Sequence, residues 1–336
     1  MILVTGGTGL VGAHLLLYLI ESENIGDKKI RALYRNSSTI HKTKCLFQLY
    51  NKSSLFEAIE WVQGDIIDIT TLEEAFKGID YVYHSAALIS FDPKHENLLR
   101  KINIEGTANI VNFCLAKDVK KLCHFSSTSA LGDLTDTQTI ITEEIEWNPE
   151  KRHSDYAISK YGAEMEIWRG QQEGLDVVIV NPGIIIGPGF QERGSGLLFK
   201  KVAHGLKYYT LGIIGFVAVN DVVRIAVQLM KSNIRNERYI LIEQNRTFQA
   251  VLNTIADSLG VKRPRNHMKP HLMELAWRLD SLIAIVFRKK RSLTRHAAKA
   301  SYTKQEYSNA KIKMALKTDF LDIHHYIKEI STLKKT

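Results

Sequence analysis

The sequence predicts an α/β protein built on a doubly wound parallel sheet, joined to a smaller, discontinuous and mostly helical lobe. Three observations carry this. Short apolar runs alternate with helical patterns over the first two thirds of the chain, a glycine-rich turn follows the first of those runs, and the alternation weakens after Pro182. With 336 residues and 45% hydrophobic composition, the chain is long enough to bury a large domain and a second lobe.

In chain order, the strand candidates are Ile2–Thr5, Ile30–Tyr34, Glu60–Val62, Tyr81–His84, Lys121–Ser126 and Val177–Asn181. Helical periodicity fills the intervals at Leu10–Glu21, Leu72–Phe76, Leu98–Ala116 and Tyr156–Gln172. Strand followed by helix, repeated, gathers ligands at the carboxyl ends of the strands. Beyond Pro182, Gly183, Gly187, Pro188, Gly189, Gly194 and Gly196 mark a crossover. A helix near Val222–Met230 and a strand near Tyr239–Ile242 predict a return to the main sheet. The expected division is therefore 1–182 with a returning segment near 216–245 for the first domain, and 183–215 with 246–336 for the second lobe.

The turn Thr5-Gly6-Gly7-Thr8-Gly9-Leu10-Val11-Gly12 lies between the first strand and the first helix. Gly6, Gly9 and Gly12 permit a tight turn, close approach of backbone to a pyrophosphate, and packing of helix on sheet. The helix N-terminus offers free N–H groups and the positive end of its dipole. At the end of the second strand, Arg31-Ala32-Leu33-Tyr34-Arg35-Asn36 contains no carboxylate to accept from a ribose 2′-hydroxyl. Arg35 instead suits a 2′-phosphate, so NADP is expected over NAD.

The spacing Thr-Gly-x-x-Gly-x-x-Gly resembles the extended short-chain dehydrogenases/reductases, the family that includes nucleotide-sugar epimerases and dihydroflavonol reductases. The resemblance implies a Rossmann domain and further cofactor contacts. It assigns Asp65 to the adenine amino group and Ile66 to the cover of its ring. It also implies that Ala86 and Ala87 run under the cofactor, that Asn103 supports the site from a helix, and that Pro182 belongs to a turn beside the nicotinamide. Gly215–Val222 is similar to the family's later strand-to-helix junction, so the resemblance covers roughly residues 1–260.

Tyr156 and Lys160 stand four residues apart, on one face of a helix. A phenol of pKa near 10 needs a neighbouring ammonium to bring its proton within use at neutral pH, and Lys160 is expected to supply it. Phe125-Ser126-Ser127-Thr128 puts Thr128 where the family carries a strand-end hydroxyl that orients the substrate oxygen. Thr128, Tyr156 and Lys160 are thus the expected catalytic residues of a hydride-transferring oxidoreductase. Two alternatives are a nucleotide-sugar epimerase and a non-catalytic NADP-binding sensor or scaffold.

Departures from subfamily patterns narrow the chemistry. Thr128 is followed by Ser129-Ala130, not by the Asp-Glu of sugar-nucleotide dehydratases. Ile213-Ile214-Gly215-Phe216 lacks the Arg that epimerases use on a diphosphate, leaving Arg193 and Arg224 as other sources of positive charge. An apolar carbonyl or alcohol is therefore the expected small-molecule substrate, as in dihydroflavonol reductase-like or 3β-hydroxysteroid dehydrogenase-like members.

Charge adds little by itself: +9 and a pI near 9.2 suit any anionic ligand. Cys45, Cys114 and Cys123 are expected to be free thiols, and the absence of a secretory leader pattern points to the cytoplasm. No metal is expected, because Pro270 breaks the His267/His271 pair and no further ligand completes it. No aromatic-interleaved basic stripe suggests nucleic acid. The most apolar late stretch, Leu272–Phe287, holds Glu274, Arg278 and Asp280 and is not a transmembrane segment, though peripheral membrane contact stays open. Within it, Leu272, Leu275, Ala276, Leu279, Leu282, Ile283 and Val286 share a face. That stripe is expected to cover the substrate pocket or pack on the second lobe. The alternative is a membrane-surface helix ending in Arg288–Arg291. Homodimer and monomer are both allowed.

Overall fold

The computed structural model describes residues 1–22, 30–192, 194–286 and 294–333. Arg193 and the Arg288–Arg291 cluster lie outside the described residues, as do the side chains of Leu282, Ile283 and Val286.

Seven parallel strands form the main sheet. They are β1 (Ile2–Thr5), β2 (Ile30–Tyr34), β3 (Ile59–Gln63), β4 (Tyr81–His84), β5 (Lys121–Phe125), β6 (Val177–Pro182) and a returning strand Glu237–Leu241. Their order is the returning strand, then β6, β5, β4, β1, β2 and β3. Every adjacent pair is parallel, with Ile2 aligned to Ile30 on one side and to Tyr81 on the other. The central strands are buried along their length, as expected where helices cover both faces. Successive strands run outward from β1 to β3, and the chain then crosses back to β4. The switch point lies between the carboxyl ends of β1 and β4, at Thr5 and His84.

On one face, α1 (Leu10–Ser22) and α8 (Val219–Lys231) share a core with β1, β2 and β6 through Leu15, Leu16, Leu19, Val222 and Ala226. The other face carries α3 (Ile69–Ala75), α5 (Gly106–Ala116) and α6 (Asp155–Gln172), with Leu72, Ile110, Val111 and Ile167 in its core. Ser154 caps α6, its Oγ accepting from Ala157 N at 3.1 Å. The Leu98–Ala116 expectation is met by α4 (Glu96–Leu99) and α5, but the turn between them, Arg100–Glu105, is π-helical. Periodicity did not separate α2 (Ile40–Leu49) or α7 (Gly196–Ala203) from loop.

After Pro182 the chain leaves the main sheet for a second one, in which β7 (Ile184–Ile186) pairs parallel and β10 (Gln244–Thr247) antiparallel with β8 (Ile213–Ala218). The two sheets meet where Gly183 faces the backbone of Gly215 so closely that a Cβ would run into Gly215 O. The strand Glu237–Leu241, here β9, then returns to β6. Helices α9 (Phe248–Leu259), α12 (Ala310–Leu316) and α13 (Ile323–Thr332) pack on the first core, while α10 (Pro270–Val286) leans on α11 (Arg295–Ala300).

The described leucines of the late apolar stripe do not give the expected cover: Leu272, Leu275 and Leu279 are 45%, 54% and 49% exposed. The reason is rotational: α10 turns Met273, Ala276 and Trp277 inward and leaves the leucine edge open. Among the described residues no helix is long and apolar enough to cross a membrane. All three cysteines are free thiols, Cys114 and Cys123 buried and Cys45 exposed.

Candidate active site

The glycine turn closes on itself through Gly9 N–H donating to Gly6 O at 2.9 Å, and α1 begins at once with no acidic side chain in its first turn. Gly6 sits at φ +72°, where a Cβ would come within 2.7 Å of Ala86 N. A Cβ on Gly12 would collide with the Gly6 carbonyl. Gly9 differs: it is exposed, and a Cβ there would meet only Gly6 O, at 3.4 Å. The fold needs Gly6 and Gly12, whereas the space beside Gly9 is left open at a helix N-terminus. That cradle fits a pyrophosphate. Thr8 is partly buried in the turn, and Leu10 and Val11 pack against the first core.

At the end of β2, Arg35 is 64% exposed and 3.8 Å from the Asp65 carboxylate. The exposed Ser37 and Ser38 follow it, in a turn where Asn36 Oδ1 accepts from Ser38 N. Asp65 also accepts from Ile67 N through Oδ1, which holds the turn after β3. Ile66 departs from the expectation that it covers an adenine ring. Its side chain is buried against Gly106, where a Cβ would lie 2.6 Å from Ile66 Cδ1, so the core takes it.

Beyond β4, Thr5 Oγ1 bonds His84 Nδ1 at 2.8 Å and accepts from Ala86 N at 3.2 Å, binding the β1 and β4 ends together. Ala87 is exposed at this edge. Asn103 lies in the π-helical turn and is almost fully buried. It accepts from Leu88 N, donates to Leu88 O, and donates to Ser159 Oγ at 2.9 Å. The extra residue of a π turn swings one side chain out of helical register, and here that side chain clamps the loop after β4 to α6.

Tyr156 and Lys160 come together on α6 at the end of β5. Lys160 is 2% exposed and donates from Nζ to Phe125 O at 2.8 Å. Burial lowers it from 10.5 to about 8, against the opposing charge of Glu164. Burial pushes the Tyr156 phenol up to about 12, with the nearby Ser127 hydroxyl drawing it down. The expected lowering of Tyr156 by Lys160 is not found, because burial of the phenol dominates. Both strand-end hydroxyls stand near phenols, Ser127 beside Tyr156 and Thr128 beside Tyr307 of the C-terminal lobe, whose own hydroxyl donates to Gln305 Oε1. The chain turns into a short 3-10 helix at Thr128–Ala130, capped by Ser127. Phe91 stacks edge-on against Tyr156 with ring centres 5.4 Å apart.

Sequence patterns missed the support beneath this pair. Glu164, fully buried one turn beyond Lys160, accepts from Asn181 Nδ2 at 2.6 Å and lies 3.4 Å from Arg238 on β9. Asn181 also donates to Ser127 O, immediately before the buried Pro182. The four-residue spacing of Glu164 from Lys160 was visible, but its partners come from strands far along the chain. Arg224 is no free cation for a diphosphate, because it is bonded to Asp221, Thr318 and the Asp319 carbonyl.

Residues 2–241 match the model of the NAD dependent epimerase/dehydratase family. A sterol demethylase protein B of Methylococcus capsulatus is 30% identical over 81% of this chain and 78% of its own length. A putative dihydroflavonol 4-reductase of Synechocystis is 31% identical over 84% and 79%. The solved UDP-glucose 4-epimerase of Thermotoga maritima shares the fold with a TM-score of 0.76, at 19% identity over 99% of this chain and 98% of that one. The chain belongs to the NAD dependent epimerase/dehydratase family and is an NAD(P)-dependent oxidoreductase of the extended short-chain dehydrogenase/reductase type.

Proposed function

We propose that the protein is an NADP(H)-dependent reductase or dehydrogenase of an apolar carbonyl or alcohol, with Tyr156, Lys160 and Ser127 at its centre. The observation that carries this reading is the buried Tyr156/Lys160 pair on α6, with the Ser127 hydroxyl nearby. Residues 1–182 with 216–245 would hold the dinucleotide, and 183–215 with 246–336 the substrate. Arg35 and the Ser37 and Ser38 hydroxyls would take the 2′-phosphate. Gly9 and the start of α1 would take the pyrophosphate, beside Thr8, Leu10 and Val11. Asp65, Ala86, Ala87, Asn103 and Pro182 would frame the rest. Cytoplasmic residence belongs to the same proposal.

The nicotinamide, when bound, supplies the hydride. The chain's own residues handle the proton. Tyr156, held up at about 12, keeps its phenolic proton at neutral pH and can donate it to the oxygen that becomes an alcohol. Ser127, beside the same phenol, would orient that oxygen, with Thr128 next to it as the other strand-end hydroxyl. Lys160 holds its charge below about pH 8, where it would fix a ribose hydroxyl and offset negative charge left on Tyr156.

A carbonyl substrate without a diphosphate is favoured because Arg224 is committed to the C-terminal segment. The similarity to proteins named for sterol demethylation and dihydroflavonol reduction supports an apolar substrate. NADPH oxidation measured against apolar ketones and aldehydes, beside product analysis of UDP- and dTDP-sugars incubated with the protein and NAD, tests the proposal. Turnover confined to the nucleotide sugars would replace it with the epimerase reading.

A further inference from the structure

Positive charge is distributed unevenly along this chain. Residues 261–304 contain twelve Lys and Arg but only two Asp and Glu, a net of +10, so the rest of the protein stands at −1. Among the described residues of that segment, Lys262, Arg263, Arg265, Lys269, Arg278, Arg295, Lys299 and Lys304 are all exposed. One of the two carboxylates, Glu274, is already occupied by Arg278 and by Trp277 Nε1. The basic segment is built around α10, whose open edge presents Leu272, Leu275 and Leu279. The short pairing of Asn266–His267 with Tyr208–Tyr209 leads into that helix and sets the exposed Tyr208 against Asn266.

We propose that this face docks on an anionic lipid surface, with α10 lying in the plane of the interface. Leucines among exposed cations match what such a surface offers: acyl chains below and phosphate charge at the same level. The charge distinguishes this occupant from a second copy of the chain. A two-fold contact through α10 would bring together two copies of a segment whose described residues alone carry a net of +6, and that repulsion opposes pairing. A nucleic acid would satisfy the cations but leave the leucine edge uncovered. The docking is independent of the substrate proposed above, since it uses residues outside the Tyr156/Lys160 site.

Co-sedimentation of the full chain with vesicles tests it directly. Vesicles of phosphatidylcholine with 30% phosphatidylglycerol should carry the protein down in low salt, and pure phosphatidylcholine vesicles should leave most of it in solution. Raising salt to 0.5 M should weaken binding strongly. Leu275→Glu with Leu279→Glu should weaken partitioning at least about 10-fold, because each leucine loses its apolar burial. Unchanged circular dichroism and thermal midpoint would establish that the variant is folded, as expected for residues exposed in the free protein. Lys269→Glu with Arg278→Glu should give a comparable loss while keeping the leucines. Failure of the unaltered protein to bind the anionic vesicles would overturn the proposal. So would retention of binding in both double variants, or a leucine-dependent dimer in sedimentation velocity without vesicle binding.

Discussion

Replacing Gly9 and Gly12 separately by alanine distinguishes a glycine the fold needs from one left open for a ligand. At Gly12 the new methyl would meet Gly6 O and come within 2.7 Å of Gly6 C, both backbone atoms of a turn held by β1 and α1. Overpacking of this kind costs about 1–3 kcal/mol, and the better helix propensity of alanine returns about 1 kcal/mol of it. Because the clash is with backbone, the cost falls at the upper end of that range and the net loss is about 2 kcal/mol. For a chain of 336 residues the unfolding entropy is about 0.7 kcal/mol/K, so the thermal midpoint should fall by roughly 3 °C. At Gly9 the methyl meets Gly6 O at 3.4 Å, an ordinary contact, and the midpoint should move by less than about 1 °C. Cofactor affinity should respond in the opposite order, since a methyl at Gly9 occupies the space where a pyrophosphate would approach. Calorimetry without cofactor and fluorescence titration with NADPH supply the two measurements. A Gly9→Ala protein that bound NADPH with unaltered affinity, beside a Gly12→Ala protein with an unaltered midpoint, would refute the reasoning.

Arg35→Asp should reverse or erase a preference for NADPH over NADH in titration, and equal affinities in the unaltered protein would reject the assignment. Tyr156→Phe should leave NADPH affinity nearly intact and lower kcat about 10²-fold or more, while wild-type turnover would exclude the phenol as acid. Ser127→Ala should lower kcat more than Thr128→Val, because Ser127 is the strand-end hydroxyl beside Tyr156; the opposite ranking would restore Thr128 to the centre. Lys160 loses its proton near pH 8 in the folded chain and near 10.5 when unfolded. Between those values the unfolded state binds more protons, so this group makes stability rise with pH there, while kcat/KM should fall above about pH 8. Glu164→Gln removes the charge that opposes this lowering and should move the fall in kcat/KM to lower pH; an unmoved profile would dissociate Glu164 from Lys160.

Local pattern alone determined the parallel sheet, because strands buried on both faces must be short, apolar and followed by helices. It also determined the glycine turn and the Tyr156/Lys160 pair, whose meaning lies within a dozen residues of chain. What the sequence could not assign was whatever depends on segments distant in the chain. Ser127 and Thr128 are adjacent and both carry hydroxyls, and only the 3-10 turn after β5 sets which lies beside Tyr156. The Tyr156 phenol rises instead of falling because folding buries it, while the Lys160 ammonium finds Phe125 O, a partner 35 residues away. Ile66 looked free to cover a ring, but Gly106 opens a hole in the core that it fills. The leucine edge of α10 has the periodicity of a buried face, yet periodicity states only that a face exists; which way the helix rolls is set by Met273, Ala276 and Trp277 turning inward beside α11. Secondary structure and its motifs follow from near neighbours, whereas the direction of each side chain, and with it the proton, follows from burial among residues that only folding brings together.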